Sequence, residues 1–118
     1  MKTDRVYLLH IRDALQRVLE YTREGSDAFF SDTRTQDAVI RNLEIVGEAV
    51  KRLSSGSTGQ HADVPWNRIA GMRDVLIHNY FGVKLEAVWA VVEFHVSPLA
   101  DAVEKLLAGH LPGDDDLE

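Results

Sequence analysis

The 118-residue chain contains no cysteine. Disulfide frameworks, thiolate zinc sites and cysteine nucleophiles are therefore excluded, and a reducing compartment fits. No uninterrupted apolar run approaches the ~20 residues that a membrane helix needs. The N-terminal stretch MKTDRVYLLHIRDALQR mixes charge into its apolar pattern and has no signal-peptide core. The expectation is a cytoplasmic protein with no membrane role. Basic excess is missing as well: 13 Lys and Arg face 19 Asp and Glu, a formal charge of −6. Four of those acids (Asp114, Asp115, Asp116, Glu118) lie in the tail, which leaves 15 acids against 13 bases in the body. Proteins that grip nucleic acid by its backbone alone show a strong cationic field, so any such role here rests on a local basic site. Glycine-rich phosphate loops are absent, since Gly56 and Gly59 lack the following Lys-Ser/Thr. His10, His61, His95 and His110 are scattered, with no Glu-x-x-His or His-x-x-x-His pair. No metal site and no cofactor are expected.

What is present is helical periodicity. Hydrophobic residues make up 45% and charged residues 27%, the balance of one ordinary domain with a single core. Leu8, Ile11, Leu15, Val18 and Leu19 recur at three and four residues, predicting a helix from Asp4 to Arg23 that Gly25 and Ser26 end. Phe29 and Phe30 read as plugs at one end of a bundle. A second helix is expected from about Thr35 to Leu53, with Val39, Leu43, Val46, Val50 and Leu53 on one stripe. Gly47 sits inside it at a propensity cost, a mark of close helix-helix approach. Arg41, Glu44, Glu48 and Arg52 are spaced for mutual ion pairs along a solvated or interface edge. The segment SSGSTGQHAD reads as a loop, and Pro65, with Asp63 as a cap, opens a third helix that stops at Gly82. Leu85, Val88, Trp89, Val92 and Val96 mark a fourth helix. Ser97-Pro98 restarts the chain into a fifth, ended by Gly109. Trp66 and Trp89 are expected as core or dimer anchors, and His95 as structural. The expected fold is all-α, an antiparallel bundle of four to five helices over residues 1–109, followed by an acidic, disordered tail at 110–118.

The third helix breaks the pattern. At about 100° per residue, Ile69, Ala70, Leu76 and Ile77 fall within about 60° to either side of Arg73. A guanidinium thus occupies the middle of an apolar arc, where an unpaired charge is costly. Tyr80 lies along the axis from Arg73, while Asp74 and His78, four apart, share an edge with Asn67. Structural readings exist for each. His78 would suit a helix C-terminus, Asp74 its surface partner, and Tyr80 a core aromatic. Arg73 would be neutralised by Glu44 or Glu48 from the neighbouring helix.

The run Arg73-Asp74-Val75-Leu76-Ile77-His78-Asn79-Tyr80 has the form Arg, four residues, His, any residue, Tyr. It resembles the signature of the HepT-like branch of the HEPN superfamily. Flanking segments match in order: Tyr21-Thr22, Thr35-Gln36-Asp37-Ala38, the run from Arg41 to Ala49, and Pro65-Trp66. The resemblance covers about residues 4 to 108. It implies a helical bundle that homodimerises through the motif helix, and a metal-independent RNA endonuclease. The setting it implies is the toxin of a prokaryotic, type VII-like HEPN/MNT toxin–antitoxin pair. The partner would be a small MNT-type nucleotidyltransferase antitoxin that transfers AMP to the motif tyrosine, Tyr80.

The chemistry suits that reading. RNA carries its own nucleophile, the 2′-hydroxyl, so a metal-free site needs a proton acceptor, a proton donor and a cation on the phosphate. His78 suits proton transfer and Arg73 the phosphate, with Asp74 orienting His78 and Tyr80 bonding a phosphate oxygen. Asn67, Asn79 and Glu44 are expected to support the cleft. One subunit supplies a single motif histidine, whereas two facing subunits supply acid and base together. The alternative is a non-catalytic helical module that binds a nucleotide or a nucleotidyltransferase partner, with Tyr80 as substrate.

Overall fold

The computed structural model describes residues 4–78 and 83–109, for residues 77 and 78 the backbone alone. Asn79, Tyr80, the expected stop at Gly82 and the acidic tail therefore lie outside the described residues. Seven helices are present among the described residues: α1 (Asp4–Tyr21), α2 (Ser26–Ser31), α3 (Thr33–Lys51), α4 (Ser55–Thr58), α5 (Trp66–His78), α6 (Leu85–Phe94) and α7 (Val96–Ala108). No described residue is in a strand, so the all-α bundle is the observed architecture. Five of the helices are long and two are short caps. No helix is long and apolar enough to cross a membrane, among the described residues.

Most of the predicted stripe residues become the core, but Leu19 of the first stripe is exposed. Leu8, Ile11, Leu15 and Val18 of α1 meet Val39, Leu43, Val46 and Val50 of α3, and Val96, Leu99, Val103 and Leu106 of α7 close the same core. Asp4 at the start of α1 bonds Ser54 just beyond α3, while Arg17 near the other end of α1 approaches Asn42 at 3.5 Å. The two helices therefore run antiparallel. Asn42 is buried yet satisfied, its amide donating to the Ala38 carbonyl at 2.9 Å.

Local chemistry sets the helix ends. Gly25 adopts φ +93°, a left-handed conformation that L side chains rarely take, and it turns α1 into α2. Asp32 caps α3: its carboxylate accepts from the Arg34 amide and the Thr35 hydroxyl, each at 3.0 Å. That Thr35 hydrogen bond, the largest cause, holds the Asp32 carboxyl below its ordinary range. Of the two phenylalanines, Phe29 is fully buried and stacks on Trp89 with centroids 5.3 Å apart, whereas Phe30 is largely exposed. Only Phe29 is the plug.

Two expectations need correction. The Ser/Gly segment is not a plain loop, because α4 and a 3₁₀ turn at Gly59–His61 occupy it. The Asp4 carboxylate anchors that segment, accepting from the Ser54 amide at 3.0 Å and from the hydroxyls of Ser54 and Ser57. Further on, α7 begins at Val96, one residue before Ser97-Pro98. His95 breaks the chain between α6 and α7, and its carbonyl accepts the Leu99 amide at 3.1 Å. Pro98 thus falls in the first turn, where its missing N–H costs no hydrogen bond.

Candidate functional site

Arg73 is tolerated inside an apolar arc because α3 gives it room at Gly47. A Cβ placed on Gly47 would lie 2.9 Å from the Cβ of Arg73, 3.0 Å from the Ile69 carbonyl oxygen and 3.1 Å from the Arg73 nitrogen. The two backbones touch here, as the mid-helix glycine predicts. The flanking Ile69 and Leu76 are buried, so the root of Arg73 is fixed between them. Its side chain runs out along α3 and ends one-third exposed, an aliphatic stem in packing with a charged head at the surface.

The head meets Glu48. Arg73 Nε lies 2.9 Å from Glu48 Oε2, and Arg73 Nη1 lies 3.1 Å from Asp74 Oδ1. Of the two glutamates that could neutralise Arg73, Glu48 is the one that does. The other oxygen of Glu48 takes Arg52 at 3.2 Å, so one carboxylate divides two guanidiniums. Glu44 faces Arg41 at 3.7 Å. The ion pairs expected along this edge of α3 are present, and Arg73 joins them from α5. At this degree of exposure such pairs contribute little stability; they fix geometry.

Arg41, Glu44, Glu48, Arg52 and Arg73 line a groove of about 440 Å³, with Asp74 outside its lining. Tyr7 and His10 of α1 form its far wall, their rings edge to face with centroids 6.4 Å apart. Three guanidiniums and two carboxylates line the groove, and Asp74 on Arg73 balances the third guanidinium, so the cations are concentrated here but each is paired. The volume is that of a pocket for a small molecule or one nucleotide. Tyr7 and His10 carry no signal in the sequence as site residues, and Arg52 carries one only as a member of the ion-paired edge, because three helices assemble the groove.

The remaining predicted residues divide. Glu44 lines the groove, as expected of a supporting residue. Asn67 is exposed in the first turn of α5 and is not among the lining residues. Asp74 is placed against Arg73. The backbone of His78 ends α5, one turn beyond Asp74, and its side chain lies outside the described residues, as do Asn79 and Tyr80. No group of three or more His, Asp or Glu side chains that could hold a metal occurs among the described residues.

An all-α bundle with an Arg-x₄-His helix packed on a charged groove defines a class rather than a chain. The narrower assignment comes from comparison. The model of the HepT-like family, described as ribonuclease HepT-like, matches residues 11–106, and the chain belongs to that family. It is 43% identical over 101 residues to a Thermococcus cleftensis protein named "Probable ribonuclease HepT", covering 85% of this chain and 92% of that one. A Caldanaerobacter subterraneus protein named "Putative RNase" is 41% identical over 108 residues, covering 91% and 96%. A Methanocaldococcus jannaschii protein named "Gamma-glutamylcyclotransferase and putative RNase" is 39% identical over 107 residues. That match takes in 90% of this chain but only 48% of the longer protein. No solved structure matches.

Proposed function

We propose that this chain is a metal-independent RNA endonuclease, the toxin of a prokaryotic type VII-like HEPN/MNT toxin–antitoxin pair acting in the cytoplasm. The observation that carries the reading is Arg73, held between Glu48 and Asp74 on the family's motif helix and lining a groove with two further guanidiniums. Membership of the HepT-like family and the names of its relatives support it.

The working unit is a homodimer in which two α5 helices face each other. His78 of one subunit takes the proton of the RNA 2′-hydroxyl as its oxygen attacks the adjacent phosphorus. His78 of the partner subunit protonates the departing 5′-oxygen. The P–O5′ bond breaks, leaving a 2′,3′-cyclic phosphate and a 5′-hydroxyl. Arg73 supplies fixed positive charge to the non-bridging oxygens as charge builds on them. Asp74 orients His78, and Tyr80 bonds the phosphate. Asn67, Asn79 and Glu44 complete the cleft.

Regulation falls to a nucleotidyltransferase antitoxin. The Tyr80 hydroxyl attacks the α-phosphorus of ATP, pyrophosphate leaves, and an AMP ester remains near Arg73. Its phosphate cancels the charge that RNA needs. Tyr80→Phe should abolish the mass gain of one adenylyl group when the partner and ATP are added, while Arg73→Ala should still accept it.

The test of the nuclease is cleavage of labelled RNA by the wild type, Arg73→Ala and His78→Ala. Loss of one general acid–base group costs about 10²- to 10⁴-fold. Equal rates for wild type and His78→Ala would overturn the assignment. One observation favours the second reading, a non-catalytic module that binds a nucleotide or its partner: the Glu48 carboxylate already neutralises Arg73. RNA left intact by the wild type would establish that alternative.

A further inference from the structure

The groove reaches beyond the motif. Arg52 follows the last turn of α3 and Arg73 lies on α5, yet both close on the same carboxylate, at 3.2 and 2.9 Å. The Arg52 side chain is more than half exposed and that of Arg73 one-third exposed, so neither charged head is spent inside the core. Behind them stand Tyr7 and His10, two rings on one face of α1, with His10 exposed. A carboxylate flanked by two guanidiniums has the charge pattern of an anion seat with its counter-ion already in place. Guanidiniums fork onto phosphate oxygens as they do onto carboxylates. Tyr7 is partly buried against the core, whereas the exposed His10 ring beside such a seat can accept the face of any base.

We propose that the Tyr7–His10–Arg52 wall is the track of a single RNA strand approaching Arg73. In this arrangement Arg52 binds a backbone phosphate next to the scissile one, and His10 stacks on a base. Glu48 is the resident anion that the phosphate displaces. The proposal rests on the ribonuclease reading for its substrate class, but its residues lie outside the Arg-x₄-His motif. It also accounts for how an acidic chain holds RNA: Arg41, Arg52 and Arg73 line one groove, and a phosphate that displaces Glu48 meets two of these guanidiniums at once.

The experiment measures binding of a single-stranded RNA carrying 2′-O-methyl groups throughout, which no 2′-hydroxyl attack can cleave, across a salt series at pH 8. Removing one phosphate contact from a single strand lowers the slope of log K against log salt by about 0.7. Arg52→Gln should show that loss of slope, with Kd raised about tenfold, as for a hydrogen bond to a charged group. His10→Ala should raise Kd and leave the slope unchanged. Glu48→Gln should act in the opposite direction and lower Kd, because it removes the competing carboxylate. A merely structural ion pair predicts no tightening in Glu48→Gln. Wild-type affinity and slope in both Arg52→Gln and His10→Ala would overturn the track, as would a wild type that does not bind this RNA. Cleavage of unmodified RNA is scored in parallel. If the wild type cleaves while these variants bind normally, the groove proposal fails and the nuclease stands. If the predicted shifts appear without any cleavage, the nuclease reading fails and the track stands.

Discussion

Gly47 is the position where packing and the candidate site meet, and Gly47→Ala separates two opposed forces. Helix propensity alone favours alanine over glycine in a helix interior by about 1 kcal/mol. For a chain of this size, 1 kcal/mol moves Tm by roughly 4 °C. Against that stands the contact with α5. The new Cβ would approach the Arg73 Cβ to 2.9 Å and two backbone atoms of α5 to 3.0 and 3.1 Å. None of these is the free end of a flexible side chain, so α3 and α5 must separate. Overpacking of this kind costs typically about 1–3 kcal/mol, and three rigid contacts put the site at the upper end. The net expectation is about 2 kcal/mol of destabilisation, a Tm lower by about 8 °C. Gly71→Ala on α5 is the control, since a Cβ there meets nothing within 4 Å. It should gain the propensity term and raise Tm. The assay is thermal unfolding by circular dichroism, with RNA cleavage at a temperature where both variants are folded. Because the shift begins at the root of Arg73, Gly47→Ala should lose activity while Gly71→Ala retains it. If both variants gain stability equally, the close crossing of α3 and α5 is refuted.

Three further outcomes follow from the core and the caps. Phe29→Ala removes a fully buried ring from Trp89 and should cost about 3–5 kcal/mol in urea unfolding, against less than about 1 for exposed Phe30→Ala. Asp4→Ala leaves the buried Ser57 hydroxyl without its acceptor and should cost about 1–3 kcal/mol, read as a lowered Tm and faster proteolysis between α3 and α5. The Asp32 carboxyl titrates lower folded than unfolded, so its contribution is complete above the unfolded carboxylate range and fades as pH falls through the folded value. The urea midpoint of the wild type relative to Asp32→Asn should therefore be higher at pH 7 and converge at strongly acidic pH; a gap independent of pH would contradict this.

Much of the fold was legible because a helix writes its buried face at a fixed period. Val39, Leu43, Val46 and Val50 could be placed in the core from spacing alone, and all four are there. The Ser/Gly segment misled because its order comes from Asp4, some fifty residues away, and local propensity carries no trace of that bond. The start of α7 shifted because His95, a residue with no capping signature, makes the break, and Pro98 needs only a first turn in which to sit. At the site, the sequence exposed two anomalies, a glycine within α3 and an arginine within an apolar arc. It could not say that they fit each other. That pairing is a tertiary fact, as is the choice of Glu48 over Glu44. Tyr7 and His10 were invisible for the same reason, each looking ordinary on α1, while Arg52 was legible only as an ion-pair partner of Glu48, and the packing of α1 and α5 on α3 gathers them.

The proposed nuclease uses Arg73 and His78 to cleave RNA through its own 2′-hydroxyl. It is tested most directly by incubating the purified protein, in excess chelator, with an RNA and with the same strand deoxygenated at the 2′ position of the cleavage site. Cut RNA ending in a 2′,3′-cyclic phosphate, beside an intact deoxygenated strand, is the predicted result. Cutting of both strands, or cutting that chelator abolishes, would contradict it.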